Sequence, residues 1–297
     1  MSESPFTSKE IFLHTYVIKG GWCDCYLLLG EEEGIMVDAG WPDGSLLEYA
    51  RTLTDLPITK VINTHRHIDH TAGNGYFDTI YATEGTARGG KNTLGKDPKD
   101  FRLDYDFTII EDGDVLEIKG RQLEIIQLDC HSPGNIAILD MRGQLLFVGD
   151  EVETGQVLLL PGYAEKPGEI HSRPAATLET YLRALFRMKS YWHRYAWLCP
   201  SHNGTPLKRE YLDRYMALVQ SIMARTVKPS KDCASDTYND TMSHFPLKKS
   251  GYLRAELDGA SLVYQEKLIW DGDYEISDKL PPATQAHIDA EKTVWMG

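Results

Sequence analysis

Apolar residues occur in short runs along the first 150 positions, separated by glycine, proline and acidic residues. Residues 11–18, 25–29 and 34–38 are such runs, and the acidic stretch 31–33 lies between the last two. Runs of this length between turn residues predict short β-strands, and the acidic stretch predicts a solvated hairpin turn. The same criterion predicts further strands within 59–64, 79–83, 107–148 and 197–199.

Helical spacing replaces this pattern in three segments. Apolar residues recur every three to four positions in 45–53, 178–188 and 211–222, which predicts three amphipathic helices. Further along, Asp258-Gly259 separates two apolar runs. This dipeptide is a strong hairpin signal, so a β-hairpin is predicted over 252–270.

Two segments show no sustained periodicity. Residues 84–107 and 151–171 contain glycine, proline and charged residues without a regular apolar face. A long irregular stretch inside a compact domain is often functional, so the first segment is a candidate wall of a substrate pocket, with an ordinary surface loop as the alternative. In the second segment Tyr163 and His171 are candidate substrate contacts, although an ordinary loop role is the stronger expectation for both.

Composition and charge indicate a globular protein that does not bind nucleic acid. The chain has 297 residues, of which 42% are hydrophobic and 25% charged, and its net charge is −13. An acidic protein repels polyanions, and nucleic-acid binding normally requires a basic stripe, which this sequence lacks. No nucleic-acid partner is therefore expected.

The sequence also predicts a cytoplasmic protein that does not associate with membranes. No apolar segment reaches the ~18 residues of a membrane helix, and the N-terminal residues lack the positive and apolar regions of a secretory signal. The five cysteines are an odd number, which indicates reduced thiols. Cys23 and Cys25 share one face of their strand, but without a second cysteine pair they do not predict a zinc site.

The segment 64–70, Thr-His-Arg-His-Ile-Asp-His, contains three of the ten histidines. It follows a β-branched run, so a strand is expected to deliver the cluster onto a loop. Because side chains of an extended segment alternate, His65 and His67 point to the same side, and Asp69 and His70 follow beyond the bend. Imidazole and carboxylate groups together favour zinc, iron or manganese over calcium or magnesium.

This segment resembles the signature of the metallo-β-lactamase superfamily, and four further motifs of that family follow or precede it in the expected order. They are Val37-Asp38-Ala39-Gly40, Cys130-His131-Ser132-Pro133-Gly134-Asn135, Phe147-Val148-Gly149-Asp150 and Pro200-Ser201-His202-Asn203-Gly204. Together the five motifs span residues 37–204. Their joint occurrence is specific for the fold and much less specific for the substrate.

The resemblance implies an α/β fold, a four-layer αβ/βα metallo-β-lactamase-like sandwich. Residues 1–205 would form the catalytic domain, and residues 206–297 would form a C-terminal helix-plus-hairpin extension packed on the same domain. Such an extension would either roof the active site or form a homodimer contact, and its aromatic content does not choose between these roles.

The family's ligand motifs, carried over to this sequence, imply two divalent metal ions, with zinc favoured and manganese or iron as alternatives. The first ion would be held by His65, His67 and His131, the second by Asp69, His70 and His202, and both by Asp150. Two such ions share a water molecule and lower its pKa toward neutrality, so that a bridging hydroxide attacks a carbonyl carbon.

Two aspartates would support this chemistry in different ways. Asp69 is an acceptor when ionised, so besides binding metal it would orient the nucleophile, and it is the predicted catalytic residue. Asp38 stands at a strand end before a glycine, behind the histidine cluster. We expect it to orient the histidines by hydrogen bonding rather than to bind metal itself.

The predicted function is therefore a dinuclear metal-dependent hydrolase of a small ester-like substrate: a thioester, lactone, ester or amide. Asp150 argues against a true β-lactamase, because those enzymes typically lack a bridging carboxylate. Glyoxalase-II-type thioesterases have it, but residues 151–154 stand here in place of their cysteine-glycine-rich glutathione-binding segment. N-acyl-homoserine lactonases have it too, yet their core motif and following tyrosine do not match cleanly, so no subfamily is assigned.

Two other classes of function remain open on sequence alone. A single iron ion held by two histidines and a carboxylate would make the protein an oxygenase of the persulfide dioxygenase type. A protein that kept the fold without catalysis would be a ligand-binding sensor, although the complete ligand set argues against that. Metal identity separates hydrolase from oxygenase, and turnover of a thioester separates hydrolase from sensor.

Overall fold

The computed structural model describes residues 4–21, 23–93, 96–159, 176–231 and 252–271. In these ranges the strands are, in chain order, β1 (Thr7–Phe12), β2 (Thr15–Lys19), β3 (Cys25–Leu29), β4 (Gly34–Val37), β5 (Ile58–Ile62), β6 (Thr79–Ala82), β7 (Phe107–Ile109), β8 (Val115–Ile118), β9 (Arg121–Gln127), β10 (Ile136–Asp140), β11 (Leu145–Gly149), β12 (Val157–Leu158), β13 (Trp197–Pro200), β14 (Leu207–Lys208), β15 (Tyr252–Leu257) and β16 (Ala260–Gln265). The α-helices are α1 (Ser45–Arg51), α2 (Ile68–Thr71), α3 (Glu84–Ala87), α4 (Leu178–Ser190) and α5 (Tyr211–Met223).

These strands form two large mixed sheets and a small third one. The first sheet has the order β1-β2-β3-β4-β5-β6-β7, antiparallel up to β4 and parallel from β4 onward. The second has the order β14-β13-β11-β10-β9-β8, in which β11 and β13 run parallel. The third has the order β12-β16-β15. In the first sheet β5 runs parallel to its neighbours, and in the second sheet β11 runs parallel to β13. The loops that follow their carboxyl ends are where ligand groups can converge.

Strand alternation divides the apolar residues of the first sheet between two cores. Leu27 in β3 packs in one cluster with Leu47 of α1. Its neighbour Leu28 points the other way and shares a second cluster with Phe147 of β11 in the second sheet. On the opposite face of the second sheet, Leu146 packs in a cluster with α4 and α5. The layers are therefore α1, first sheet, second sheet, and α4 with α5, which is the predicted four-layer αβ/βα sandwich.

The C-terminal hairpin packs into the cluster around α4 and α5. Leu262 of β16 and Ala255 of β15 belong to the same hydrophobic cluster as Leu218 of α5. The hydroxyl of Tyr215 in α5 also donates to the carbonyl of Ser261 at 3.2 Å. In addition, β12 aligns parallel to β16, so the segment that follows β11 is tied to the hairpin. The described part of residues 206–297 thus lies on the same body as the second sheet.

A buried ion pair joins the two large sheets. Arg121 in β9 donates to the Asp140 carboxylate of β10 at 2.7 Å, and both side chains are almost completely buried. The same guanidinium donates to the hydroxyl of Thr15 in β2 at 2.7 Å and to the carbonyl of His14, in the turn between β1 and β2, at 2.8 Å. The Arg121 guanidinium can be buried at this interface because each of these hydrogen bonds replaces one that it would make with water.

Most predicted elements are confirmed, and one is wrong. The run 11–18 is two strands rather than one, because β1 ends at Phe12 and His14 turns the chain with a φ of 60°. The predicted hairpin is present, but β16 ends at Gln265, five residues before the predicted end. The helices α2 and α3 were not predicted, since four residues are too few to show periodicity.

No helix of the described ranges is long enough to cross a membrane. The longest, α4 and α5, have 13 residues each, whereas a bilayer requires about 20.

Candidate metal centre

The seven predicted ligand residues lie together beyond the carboxyl ends of four strands. The histidine cluster 64–70 follows β5, His131 follows β9, Asp150 follows β11 directly, and His202 follows β13. They form two groups whose donor atoms lie within 4.8 Å of one another: His65, His67, His131 and Asp150 in the first group, and Asp69, His70 and His202 in the second. Their division into groups is the one expected from the sequence.

In the first group the donor atoms surround a common point. His67 Nδ1 lies 2.9 Å from His65 Nε2 and 3.1 Å from His131 Nε2. Asp150 Oδ2 lies 3.7 Å and 3.5 Å from the same two Nε2 atoms. A tetrahedral ion with ligand distances of about 2.0–2.1 Å separates its ligands by roughly 3.4 Å. The observed separations bracket that value, so the donor set fits a metal ion.

The second group is spaced in the same way. Asp69 Oδ2 lies 3.3 Å from His70 Nε2 and 3.3 Å from His202 Nε2. Asp150 also faces this group, since its Oδ1 lies 3.4 Å from His70 Nε2 and its Oδ2 lies 3.5 Å from His202 Nε2. One carboxylate therefore stands between the two groups, as a ligand shared by two ions would.

Two buried atoms of the centre have no hydrogen-bond partner among the described residues. They are His70 Nε2 and Asp150 Oδ1. An unsatisfied buried nitrogen or carboxylate oxygen costs free energy, and native structures seldom leave one without a ligand. The two atoms lie 3.4 Å from each other without forming a hydrogen bond, and a cation bound between the two groups would satisfy both.

Asp38 contacts the side of the His70 ring that faces away from the centre, as expected for a residue that orients the histidines by hydrogen bonding. Asp38 Oδ2 lies 2.7 Å from His70 Nδ1, and its two oxygens also accept from the backbone N–H and the hydroxyl of Thr64, each at 2.8 Å. Asp38 is fully buried. These contacts hold the His70 ring with Nε2 toward the centre and fix the start of the histidine loop.

The rings of two first-group histidines are oriented from behind by groups that the sequence did not indicate. His65 Nδ1 lies 3.1 Å from the Thr64 hydroxyl, and His131 Nδ1 lies 3.0 Å from the Leu158 carbonyl. A backbone carbonyl such as that of Leu158 leaves no signal in a sequence, because every residue has one. Both contacts keep the Nε2 atoms pointing at the centre.

Glu151 is a further buried acid beside the centre that the sequence did not single out. Its Oε1 accepts from the backbone N–H of His131 at 2.7 Å and from Nδ2 of Asn135 at 2.6 Å. Burial raises the pKa of Glu151 to about 7. The only available signal was its position, directly after Asp150 at the end of an apolar strand.

The four-residue helix α2 places the second-group ligands from the loop. His67 is its N-terminal flanking residue, so His65 and His67 precede the helix while Asp69 and His70 lie within it. On the outer side, Ile68 and Ala72 pack in a small cluster with Phe101. The described part of 84–107 therefore lies directly against the metal loop, and its role as a pocket wall remains a prediction.

Burial favours the neutral, metal-binding form of the first-group histidines. Burial lowers the pKa of His67 to about 3, with a further contribution from His131. Burial likewise lowers the pKa of His65 and of His131. A neutral imidazole offers the lone pair that a cation requires, so these rings need not release a proton on binding.

The second group is held by opposite charges. Burial alone would lower the pKa of His70 and His202, but the carboxylates of Asp69 and Asp150 raise it well above the ordinary histidine value. In return, His70 and His202 hold the pKa of both carboxyls well below the usual range, although burial acts in the opposite direction. A cation binding here would displace protons from these imidazoles.

Other residues considered on sequence grounds are not part of either group. The Sγ atoms of Cys23 and Cys25 lie 3.5 Å apart on one face, as expected, and Cys23 Sγ lies 3.1 Å from the Asp69 carbonyl oxygen. The four cysteines of the described ranges are free thiols. Tyr163 and His171 lie outside the described residues.

The chain belongs to the metallo-β-lactamase superfamily. The model of that family matches residues 19–202, which include all seven predicted ligand residues. The resemblance proposed from the five motifs and the predicted fold are both confirmed by this match.

Curated relatives carry out different reactions on related folds. The chain is 26% identical over 171 residues to the acyl-coenzyme A thioesterase MBLAC2 of Bos taurus, an alignment covering 47% of this chain and 61% of the relative. It is 28% identical over 162 residues to the 2,4-dinitroanisole O-demethylase subunit alpha of a Nocardioides strain, covering 52% and 48%. It is 30% identical over 102 residues to a hydroxyacylglutathione hydrolase of Prochlorococcus marinus, covering 34% and 39%. The matches thus span less than two thirds of these relatives.

Solved structures agree on the fold. A metallo-β-lactamase from Pontibacter korlensis superimposes with a TM-score of 0.56 at 19% identity, covering 72% of this chain and 99% of that one. The sec-alkylsulfatase Pisa1 from a Pseudomonas species superimposes with a TM-score of 0.60 at 16% identity, covering 74% of this chain and 42% of that one. At such identities the likeness establishes the architecture and not the reaction.

Proposed function

We propose that this protein is a metal-dependent hydrolase of a thioester, using two divalent ions of which zinc is the favoured identity. The observation that carries the proposal is the Asp150 carboxylate, which stands within 3.7 Å of donor atoms from both histidine groups. A shared carboxylate between two groups of nitrogen and oxygen donors is the arrangement of two-metal hydrolytic centres.

The thioester is favoured over a lactone, simple ester or amide by the names of the relatives. Two of the three relatives have names that indicate an acyl substrate: one is called an acyl-coenzyme A thioesterase and one a hydroxyacylglutathione hydrolase. The demethylase among the relatives shows that a different reaction also occurs at this level of identity. Because the alignments cover only part of each relative, the substrate is part of the proposal.

The residues of the chain have distinct roles in the proposed reaction. The two ligand groups would hold divalent ions, which when bound would lower the pKa of a water molecule and polarise the substrate carbonyl. Asp69, whose Oδ2 lies between His70 and His202, would bind metal and orient the attacking water as an acceptor. Asp38 holds the His70 ring from behind. The segment 84–107, which packs on α2 through Phe101, would line the substrate pocket.

One experiment on the purified protein tests both parts of the proposal. Metal content is measured by elemental analysis on protein purified without added metal. Release of free thiol from acyl-coenzyme A and from an uncharged thioester is measured on the same protein, together with hydrolysis of a lactone and of a simple ester. For the wild type we expect about two ions per chain and release of thiol. For His202→Ala we expect about one ion per chain and thiol release at least ~10²-fold slower, because a two-metal reaction needs both ions. His193→Ala removes an exposed histidine outside the centre and should match the wild type.

Three outcomes would contradict the proposal. A single iron ion per chain, unchanged in His202→Ala, would point to oxygen chemistry instead. Two ions without turnover of any thioester, lactone or simple ester would favour a ligand-binding protein. Turnover of a lactone or ester with no thioester activity would keep the hydrolase and reject the substrate.

A further inference from the structure

The ligand His131 is held by its backbone as well as by its ring. Its N–H donates to Glu151 Oε1 at 2.7 Å rather than to a strand partner. The same oxygen accepts from Asn135 Nδ2 at 2.6 Å, and Asn135 Oδ1 in turn accepts from the N–H of Cys130 at 2.6 Å. One carboxylate oxygen therefore organises both ends of the loop that carries His131.

The backbone of Glu151 is itself fixed in place. Glu151 is fully buried, and its backbone N–H donates to the Val148 carbonyl at 3.1 Å. Its own carbonyl accepts from the hydroxyl of Tyr181 in α4 at 2.5 Å. Because Glu151 directly follows Asp150, its backbone anchors also define where the shared carboxylate stands.

The ring of His131 is oriented by the same stretch of chain. Its Nδ1 lies 3.0 Å from the Leu158 carbonyl in β12, and β12 is paired with β16, where Leu158 stands opposite Val263. Residues 150–158 thus provide the shared ligand, the backbone acceptor and the ring acceptor. The position of His131 relative to Asp150 is set within this one segment.

We propose that Glu151 is a positioning residue, which holds His131 in register with Asp150 and so maintains the affinity of the first ligand group for its metal ion. This inference rests on the proposed metal centre and adds a residue that neither binds the ion nor contacts substrate. It predicts that the first group depends on Glu151 while the second, whose ligands lie on α2 and after β13, does not.

The two carboxylate oxygens of Glu151 have different contacts, so variants can distinguish positioning of His131 from general packing. Oε1 accepts both hydrogen bonds to the His131 loop, whereas Oε2 has no hydrogen-bond partner among the described residues. Glu151→Gln keeps an acceptor oxygen for the loop, and its amide group would occupy the Oε2 side without a partner. Glu151→Ala removes the acceptor and leaves two buried donors without one. The glutamine variant should lose stability but keep the position of His131.

The test measures the first group alone. In a His202→Ala background the second group lacks a ligand, so the zinc affinity of the metal-free protein, measured by competition with a chromophoric chelator, reports the first group. Glu151→Ala and Glu151→Gln are added to this background. The matched control is Glu153→Ala, which removes an equally buried acid of the same segment that accepts from the Gln156 N–H instead. Circular dichroism records folding in every variant.

We expect Glu151→Ala to weaken zinc binding by ~10- to 100-fold, the usual effect of removing a group that orients a ligand. Glu151→Gln and Glu153→Ala should stay within about threefold of the background. Unchanged affinity in Glu151→Ala would overturn the inference, and so would equal losses in the alanine and glutamine variants of Glu151. Equal losses in Glu151→Ala and Glu153→Ala would also overturn it.

A further variant covers the case in which Glu151→Ala does not fold. Glu151→Asp keeps the charge but withdraws the carboxylate by one methylene, so it should bind zinc more weakly than Glu151→Gln. Binding as tight as in the glutamine variant would overturn the inference. Failure of the proposed function gives a different result, because it is seen in the wild type itself, as a single iron ion per chain or as no thioester turnover, whatever the Glu151 variants do. Failure of this inference alone leaves the wild type with two ions.

Discussion

At the scale of single residues, four acids in and behind the centre differ in what their oxygens contact. Asp69 and Asp150 face imidazole nitrogens at 3.3–3.7 Å, as ligands do. Asp38 accepts three hydrogen bonds from Thr64 and His70, and Glu151 accepts from a backbone N–H and an amide. Their residue types are nearly the same, so it is geometry that separates ligand from support.

Replacing Asp38 by asparagine should weaken the second ligand group. Asparagine has one acceptor oxygen in place of two, and its amide would face the donors of Thr64 and His70. We expect the affinity for the second ion to fall by ~10- to 100-fold, measured by chelator competition on protein loaded with one ion. Asp55→Asn changes an exposed aspartate and should leave both affinities unchanged. Tight binding of both ions by Asp38→Asn would contradict the orienting role.

At the scale of elements, runs of apolar residues predicted the strands whose bounds depend on the local sequence. The strands β3 and β5 are runs rich in apolar residues that end before polar or turn residues, and the structure has them within two residues of the predicted bounds. The division of 11–18 was missed because the turn depends on a positive φ at His14, where glycine would have been the usual signal. The helix α2 was missed because it is shorter than the period that reveals a helix.

The central strand of the small sheet offers a test at the same scale. Leu262 is fully buried in β16 and stands opposite Val157 of β12 and Ala255 of β15. Leu262→Ala should lower the free energy of unfolding by about 2–5 kcal/mol, because it leaves a cavity between the hairpin and α5. Urea denaturation with fixed metal content measures the change. Glu256→Ala, on the exposed face of β15, should change it by about 0.5 kcal/mol or less. Similar values for both variants would show that the hairpin does not share the core.

At the scale of the whole molecule, the two large sheets pack on an apolar core, and the Arg121–Asp140 ion pair is buried between them. Arg121→Ala would leave the buried Asp140 carboxylate without its cation, and the carbonyl of His14 without its donor. We expect a loss of about 3–5 kcal/mol in the free energy of unfolding, since the remaining charge is uncompensated. Arg142→Ala removes an exposed arginine that donates to the Gly120 carbonyl, and should cost about 0.5 kcal/mol or less. Thermal or urea unfolding at constant metal content measures the loss for each variant. Equal losses in Arg121→Ala and Arg142→Ala would contradict a special role for the buried ion pair.

The sequence by itself determined the family, the layered fold and the chemical identity of the seven candidate ligands. It did so because imidazole and carboxylate side chains are rare and chemically specific, and because strand and helix periods are local properties of the chain. Only the tertiary structure decided what supports those side chains. The Leu158 carbonyl behind His131, the carboxylate of Glu151 beneath the same loop and the pairing of β12 with β16 all join segments that are distant in sequence. Such contacts depend on how the sheets pack, and neither a backbone carbonyl nor a register carries a residue-specific signal.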